Sequence, residues 1–382
     1  MSSEGSPLVS SGEKVPRRVF RSDGSTIRVE SRDVSALRWL TEFLVPPFVE
    51  ENSSPADHVV RLVVDASRYE SLREEGSRGS EEANVFQLDS GFRALPIAHL
   101  EGGCAVAVDD RQRVVYRIDA TTQEVEILTR PGNAACRTGL LQVTRELAMA
   151  RSWRSKRLLA HAAGLSKNER TLLLAGPKQA GKTTLLLHCL RASGTEILSQ
   201  DRTLLELGGE AITARGVPTF ASIRAGTLDL LPEIARRVHM SPYGPRLTLA
   251  ECEETSTVPV PRGGERYLTP AQFSRVVERP ICESARLAGI LFPEQARGDC
   301  ITLNRLQPDE ARSRLRDTLF GSTTRGRPAS FFSPGAPMAE DAAMERRCDE
   351  VVRCTPVFSA SIGVGAFSSS ETAVELVERL LA

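Results

Sequence analysis

Along residues 171–194 the hydrophobic pattern of the chain changes twice. Leu172, Leu173, Leu174 and Ala175 form a continuous apolar run of strand length, and a buried strand is predicted there. Small and polar residues occupy 176–183. Thr184, Leu185, Leu186, Leu187, His188, Cys189 and Leu190 then predict a helix, stopped at Ser193-Gly194. The rest of the chain is arranged around this strand, loop and helix.

Upstream, short strand-like runs dominate from Val19 to Ala120. Arg61–Asp65 and Ala105–Asp109 are compact apolar runs, and Val114–Ile118 and Glu124–Leu128 alternate as half-buried strands do. Asp109–Gln112 reads as a turn. Val34–Phe43 has helical spacing. The polar, Gly/Ser-rich stretch Glu74–Asn84 predicts a mobile loop. The expectation is an α+β unit with an antiparallel sheet. Asp65 and Asp109 end strands as a metal-binding carboxylate would, but both precede the loop, and a strand-end or turn role suits them better.

Downstream, Leu140–Arg157 is amphipathic and predicts a helix leading into a second unit. Leu158–Leu165 predicts a strand, and Glu196–Arg202 another that ends in a carboxylate. Thr203–Leu207 and Ala211–Ala214 read as a hairpin. Phe220–Gly226 reads as a strand or loop carrying Arg224. Residues 241–270, rich in Pro, Gly, Thr and charge, predict a long loop or arm of the kind that serves as a lid or binding loop. Leu287–Phe292 is a further strand, with Glu294 after it a strand cap or a late catalytic carboxylate. Pro308–Leu319 predicts a helix, 321–340 is Gly/Pro/Ser-rich, Val357–Ile362 predicts a strand and Glu371–Leu381 a helix. There is no internal repeat.

Length and composition narrow the class. The 382 residues suggest two domains or three. Lys plus Arg and Asp plus Glu are equal at 49 each, which argues against a general nucleic-acid binder. Eight cysteines without a C-x-x-C pair read as reduced thiols of a cytoplasmic protein and show no metal-ligand spacing. No apolar run approaches the roughly 18 residues that span a membrane. The first 18 residues lack the apolar core of a signal peptide and read as a flexible tail.

The chemistry concentrates at 176–184. Gly176-Pro177-Lys178-Gln179-Ala180-Gly181-Lys182-Thr183 fits G-x-x-x-x-G-K-[ST] at every fixed position. Two glycines let the backbone curl so that consecutive N–H groups face inward as an anion nest. The helix begins there, so its unpaired N–H groups and positive end face the same anion. Lys182 can reach terminal phosphates, and the Thr183 hydroxyl can ligate nucleotide-bound magnesium. Thr184 completes the candidate nucleotide-binding segment. Asp201 ends a strand one helix later, where sheet strands expose their carboxyl ends toward a ligand; the other reading is a helix cap or turn aspartate. Arg224 could hold a phosphate or carboxylate in a bidentate fork, or be a solvated surface arginine.

From His161 onward the chain resembles the HPr kinase/phosphatase-like proteins, relatives of phosphoenolpyruvate carboxykinase. The resemblance rests on Leu159-Ala160-His161-Ala162, the G-P-x-x-A-G-K-T-T loop, Ile197-Leu198-Ser199-Gln200-Asp201-Arg202, Ser222-Ile223-Arg224-x-Gly226 and Ala288-Gly289-Ile290-Leu291-Phe292. It covers roughly residues 155–382. It implies a kinase that moves the terminal phosphate of ATP, with Mg2+, to a hydroxyl of a protein, peptide or small molecule. It makes His161, Lys182, Asp201 and Arg224 the catalytic candidates, and Thr183 and Asp201 the metal candidates. The bacterial kinases of this group end the second strand in two aspartates, and here the pair is Gln200-Asp201. An ATP-dependent switch without phosphotransfer is therefore the alternative.

The expected architecture is α/β with two domains. A tail at 1–18 precedes an N-terminal α+β domain at 19–152. A C-terminal P-loop domain follows at 153–382, with the arm at 241–270. Oligomerisation is compatible with all of this.

Overall fold

The computed structural model describes residues 15–22, 24–51, 55–79, 81–87, 91–119, 121–154, 157–240, 264–320, 332, 341–367 and 371–381. The chain is mixed α and β, built on two nine-stranded sheets and a two-stranded ribbon.

The first sheet takes β1 (Arg17–Ser22), β2 (Ser25–Ser31), β3 (Val49–Glu51), β4 (His58–Val64), β5 (Glu81–Gln87), β6 (Gly91–His99), β7 (Cys104–Asp109), β8 (Val114–Asp119) and β9 (Glu124–Thr129). Their order is β3-β1-β2-β4-β9-β8-β7-β6-β5. Helix α1 (Val34–Leu44) follows β2, α2 (Ala66–Ser77) follows β4, and α3 (Cys136–Arg154) follows β9. Helices α1 and α3 bury Leu37, Leu40, Phe43, Leu140 and Leu147 together with the sheet residues Ile27, Val60 and Ile127. Each such side chain contributes about 1.5–3 kcal/mol on leaving water. Helix α2 lays Tyr69 against Val106, Val108 and Leu128 in a separate apolar cluster.

Three expectations for this half change. The sheet is mixed, because β4 runs parallel to both β2 and β9. The loop predicted at 74–84 is instead the last turn of α2 and the start of β5. Asp65 caps α2 by accepting from the Arg68 N–H, and Gly76 is buried in its last turn, so the helix outlasts its polar sequence. The strand β1 begins at Arg17, inside the predicted tail; residues 1–14 lie outside the described ones. The two tempting strand-end aspartates are structural. Besides the cap at Asp65, Asp109 accepts from the Arg111 and Gln112 N–H groups at 3.0 and 3.1 Å.

The second sheet begins with β10 (Arg157–Ala160), β11 (Ala162–Lys167) and β12 (Arg170–Ala175). Helix α4 (Lys182–Cys189) leads to β13 (Glu196–Ser199), β14 (Thr203–Glu206) and β15 (Thr213–Gly216). The ribbon strand β16 (Ala221–Arg224) then runs into α5 (Ala225–Asp229) and α6 (Pro232–Met240). Its partner β17 (Glu265–Leu268) is followed by α7 (Pro270–Val277). The chain closes with β18 (Ser284–Ala296), β19 (Ile301–Arg305), α8 (Pro308–Thr318), α9 (Asp341–Cys354), β20 (Val357–Gly363) and α10 (Glu371–Leu381). The order is β10-β14-β15-β18-β12-β11-β13, with β20 joining β18 and β19 joining β20.

Direction matters here. Strand β11 is antiparallel to both β12 and β13, while β18 is parallel to β12 and to β20. Strands β12, β13, β18 and β20 therefore share one direction and end at one edge. The single strand expected at 158–165 is two strands broken at His161, and the strand expected at 196–202 stops at Ser199. Residues 265–270 of the expected arm are β17, the N-cap Thr269 and the first residue of α7; 241–263 lie outside the described residues, as do 321–331 and 333–340. Glu294 sits within β18 and pairs with Arg314 of α8.

The boundary expected at 152/153 falls in the last turn of α3, which is continuous through it. Side chains from the second half also meet the first. Phe220 packs edge-on to Phe43 at 4.6 Å, and Phe332 packs on Tyr116 at 5.1 Å. Among the described residues no helix is long and apolar enough to cross a membrane.

Candidate functional site

Strand register assembles the site. Ala162 pairs with Ala175 across β11 and β12, and Gly164 pairs with Ser199 across β11 and β13. His161, immediately before β11, therefore lies at the same sheet edge as Gly176, immediately after β12, and as the 200–202 bend after β13. His161 and Asp201, far apart in sequence, become neighbours without any long loop.

The 176–181 loop has the backbone its glycines allow. Gly176 has φ +144° and Gly181 φ +89°, both outside what most side chains tolerate. Gln179, at φ +74°, is a non-glycine residue in the same left-handed region. Gly181 is the N-cap of α4, and its carbonyl accepts from the Leu185 N–H at 2.9 Å. Lys182 opens the helix and is 8 % exposed. Its ammonium donates to the carbonyls of Gly176 at 2.8 Å and Pro177 at 3.0 Å, which holds it over the loop. Leu185, Leu186 and Cys189 anchor the helix in the core shared with Leu172 and Leu174, so the loop rides on a fixed strand and a fixed helix. Pro177, Lys178 and Gln179 form its exposed rim, with Ala180 and Thr183 partly covered. The Thr184 hydroxyl meets that of Thr227, in α5, at 2.9 Å.

His161 and Asp201 are brought together. The Nε2 of His161 lies 2.7 Å from the Oδ1 of Asp201, so that nitrogen carries the proton and donates it. Burial alone would push the Asp201 carboxyl up. The hydrogen bond from His161, with the charges of His161, Arg202 and Lys182, overturns this and holds it well below the usual carboxylate range. The carboxylate thus senses Lys182, which links the pair to the glycine loop.

Arg224 is held within the β16–β17 ribbon. It ends β16, and its Nε donates to Glu265 at 2.9 Å. Ser222 and Tyr267 donate to the other oxygen of Glu265 at 3.0 and 2.7 Å. The hydrogen bond from Tyr267 is foremost in keeping that carboxyl low. The ribbon with Arg224 nonetheless adjoins α4 through α5.

Several further residues surround Asp201, and of these Thr203, Phe320 and Arg145 lie outside the motifs quoted above. Ser199 and Thr203 flank the bend and stand 3.2 and 3.0 Å from the Ala162 carbonyl and 2.6 Å from each other. Two hydroxyl protons serve these three contacts and pin the bend at both ends. Arg202 and Phe320 lie behind it, with Arg145 of α3 beyond. One signal could have pointed to Arg145: it interrupts an apolar helical stripe, with Leu141 four residues before and Met149 four after.

The oxygens that could hold a magnesium ion are the Thr183 hydroxyl and the Asp201 carboxylate. Magnesium takes one or two carboxylates and fills its remaining positions with phosphate oxygens and water, and this donor set fits that habit. Among the described residues no group of three or more His, Cys, Asp or Glu side chains is placed to cage a metal. No family model and no curated protein matches this chain.

Proposed function

We propose that this chain binds ATP with magnesium on residues 176–184 and transfers the terminal phosphoryl group to a hydroxyl of a protein, peptide or small-molecule acceptor. In this reading residues 153–382 form a P-loop unit of the HPr kinase-like kind. The observation that carries it is the pairing of His161 with Asp201 at 2.7 Å within electrostatic reach of Lys182. A glycine loop alone supports anion binding. A carboxylate set beside it supports chemistry on the bound anion.

Each residue then has a definite task. The N–H groups of the loop and the start of α4 hold phosphate oxygens. Lys182 places a point charge against the group that moves. Thr183 and Asp201 would hold magnesium, which neutralises charge on the phosphates when bound. Asp201 orients the acceptor hydroxyl. A carboxylate held this low takes a proton poorly. Phosphoryl transfer through a loose transition state needs the attacking oxygen aligned more than it needs early loss of its proton. His161 keeps Asp201 ionised and fixes which oxygen faces the acceptor.

Gln200 favours a second reading. It is 7 % exposed and neutral where the resemblance leads one to expect a second carboxylate. A chain with one carboxylate could bind ATP and act as a switch on a partner. Incubation with ATP labelled at the terminal phosphate, together with extracts of the source cells, separates the two. Label appearing on an acceptor, and absent with Asp201→Asn, supports transfer. Saturable binding with only slow hydrolysis and no labelled acceptor supports the switch.

A further inference from the structure

Two buried guanidinium groups stand behind Asp201, and the chemistry above gives neither of them a step. Arg202 is 3 % exposed, and its Nε lies 3.7 Å from the Asp201 Oδ2, the oxygen not taken by His161. Its guanidinium carbon sits 5.0 Å from the centre of the Phe320 ring. The same ring meets the His161 imidazole edge-on at 6.1 Å. Phe320 is itself fixed to the strand that delivers His161. Its N–H donates to the Leu159 carbonyl at 2.9 Å, and the His161 N–H donates to the Thr318 carbonyl at 2.8 Å. One aromatic ring thus backs both members of the pair and the arginine beside them.

Arg145 enters from the other half of the molecule. It lies in α3, is 1 % exposed, and its Nη1 donates to the Pro218 carbonyl at 3.3 Å. The adjacent Val217 N–H donates to the Arg202 carbonyl at 3.0 Å. Met149, one turn along α3, packs in a cluster with Leu159, Leu204, Val217 and Phe320. Helix α3 therefore presses on the bend that carries Asp201.

Core packing does not account for these arginines. A leucine or methionine would fill either place without the cost of burying a charge, which is several kcal/mol before pairing. The two guanidiniums also repel each other, and Asp201 and Glu146 are the anions set against Arg145. The charged groups acting on Asp201 are His161, Arg202 and Lys182, with Arg145 behind. Buried cations set against one carboxylate from two elements are a device for holding that carboxylate.

We propose that Arg202, backed by Phe320 and by Arg145 of α3, is a positioning residue for the His161–Asp201 pair, fixing Asp201 so that Oδ1 stays on His161. The consequence for turnover rests on the phosphotransfer reading; the consequence for the pair itself does not. It makes α3, and through it the first sheet, part of the site.

The test is the NMR signal of the His161 ring N–H in the full chain at one neutral pH, assigned with His161→Gln. In the parent chain the Nε2–H held by Asp201 gives a downfield signal that exchanges slowly with water. Arg202→Met frees Asp201 to turn away from His161, so the signal moves upfield and its exchange quickens at least about tenfold. Arg145→Met and Phe320→Leu move it in the same direction by less. Arg202→Lys keeps the charge and stays close to the parent chain. A merely structural role would leave the signal in place in every folded variant, and that result overturns the proposal. If Arg202→Met does not fold, Phe320→Leu and Arg145→Met decide by the same reading. A parent chain that binds ATP without turning it over contradicts the transfer reading alone, and the ring N–H signal still decides the role of Arg202.

Discussion

Replacing Gly181 with alanine tests whether the loop backbone matters as described. Gly181 has φ 89° and ψ 10°, in the left-handed region, and a methyl group there would meet no atom within 4 Å. Steric exclusion by neighbours therefore contributes nothing in the free protein, and the whole cost is backbone conformation. For an L-residue with a Cβ that cost is roughly 1–2 kcal/mol. If the loop absorbs it in place, the melting temperature falls by about 1–3 °C, since an unfolding entropy of about 2.1 cal/mol/K per residue gives roughly 1 °C per kcal/mol for a chain of 382 residues. If the loop instead relaxes out of the nest, ATP must restore it, and affinity falls by about 5- to 30-fold. Scanning calorimetry without nucleotide and titration calorimetry with it read the two outcomes separately. Gly181→Asn should lose less than Gly181→Ala, because asparagine tolerates this region better. Unchanged melting and unchanged affinity in Gly181→Ala would refute this reasoning. A loss in Gly181→Asn equal to that in alanine would locate the cost in the side chain.

Other expectations can be checked alongside. Asp201→Asn should leave ATP affinity near that of the parent chain when magnesium is absent and lower turnover at least about a hundredfold, as a misaligned acceptor does; recovery at high magnesium would reduce Asp201 to a metal ligand, and full turnover would make it a structural cap. His188 is buried in α4, where burial, followed by the Arg191 charge, pushes its pKa from 6.5 down to about 4. The unfolded chain then binds the proton first, so stability is whole above pH 6.5 and declines as pH falls from there toward 4; melting temperatures followed over that window should show a slope that His188→Gln loses. Leu172→Ala, in the strand beneath the loop, should cost about 2–5 kcal/mol in denaturant unfolding. A cost below about 1 kcal/mol would mean that this strand is not the packed support described.

The strand and helix around 170–190 were legible because local pattern and tertiary role agree there. An apolar run, a Gly-rich turn and an apolar helix each need only their own residues. The same holds for α1, α8, β20 and α10. What failed were features decided by distant contacts. Helix α2 has a polar sequence through Glu74 and Glu75, and it is the burial of Tyr69 and Gly76 against β7 that keeps it helical. Strand β4 reads the same whether its neighbours are parallel or antiparallel, so the mixed sheet had no local signature. The break at His161 exists because its N–H is drawn to the Thr318 carbonyl, which is remote in sequence. The site divides in the same way. Gly176, Gly181, Lys182 and Thr183 carry a motif, and Asp201 could be inferred from strand order. Arg202 follows Asp201 directly, but Arg145 and Phe320 reach the site from separate elements, and only the fold brings them to one carboxylate.

The proposed function depends first on residues 176–184 being a phosphate site. Titration calorimetry with ATP and magnesium on the full chain and on Lys182→Ala tests this most directly. The prediction is saturable binding by the parent chain, and affinity at least about tenfold weaker in the variant, the equivalent of one lost interaction of roughly 1.4 kcal/mol. The melting temperature of the free variant should stay close to the parent, since the hydrogen bonds of the Lys182 ammonium to Gly176 and Pro177 lie within the loop itself. Equal affinity in the two proteins, or no binding by the parent chain, would contradict the phosphate-site reading.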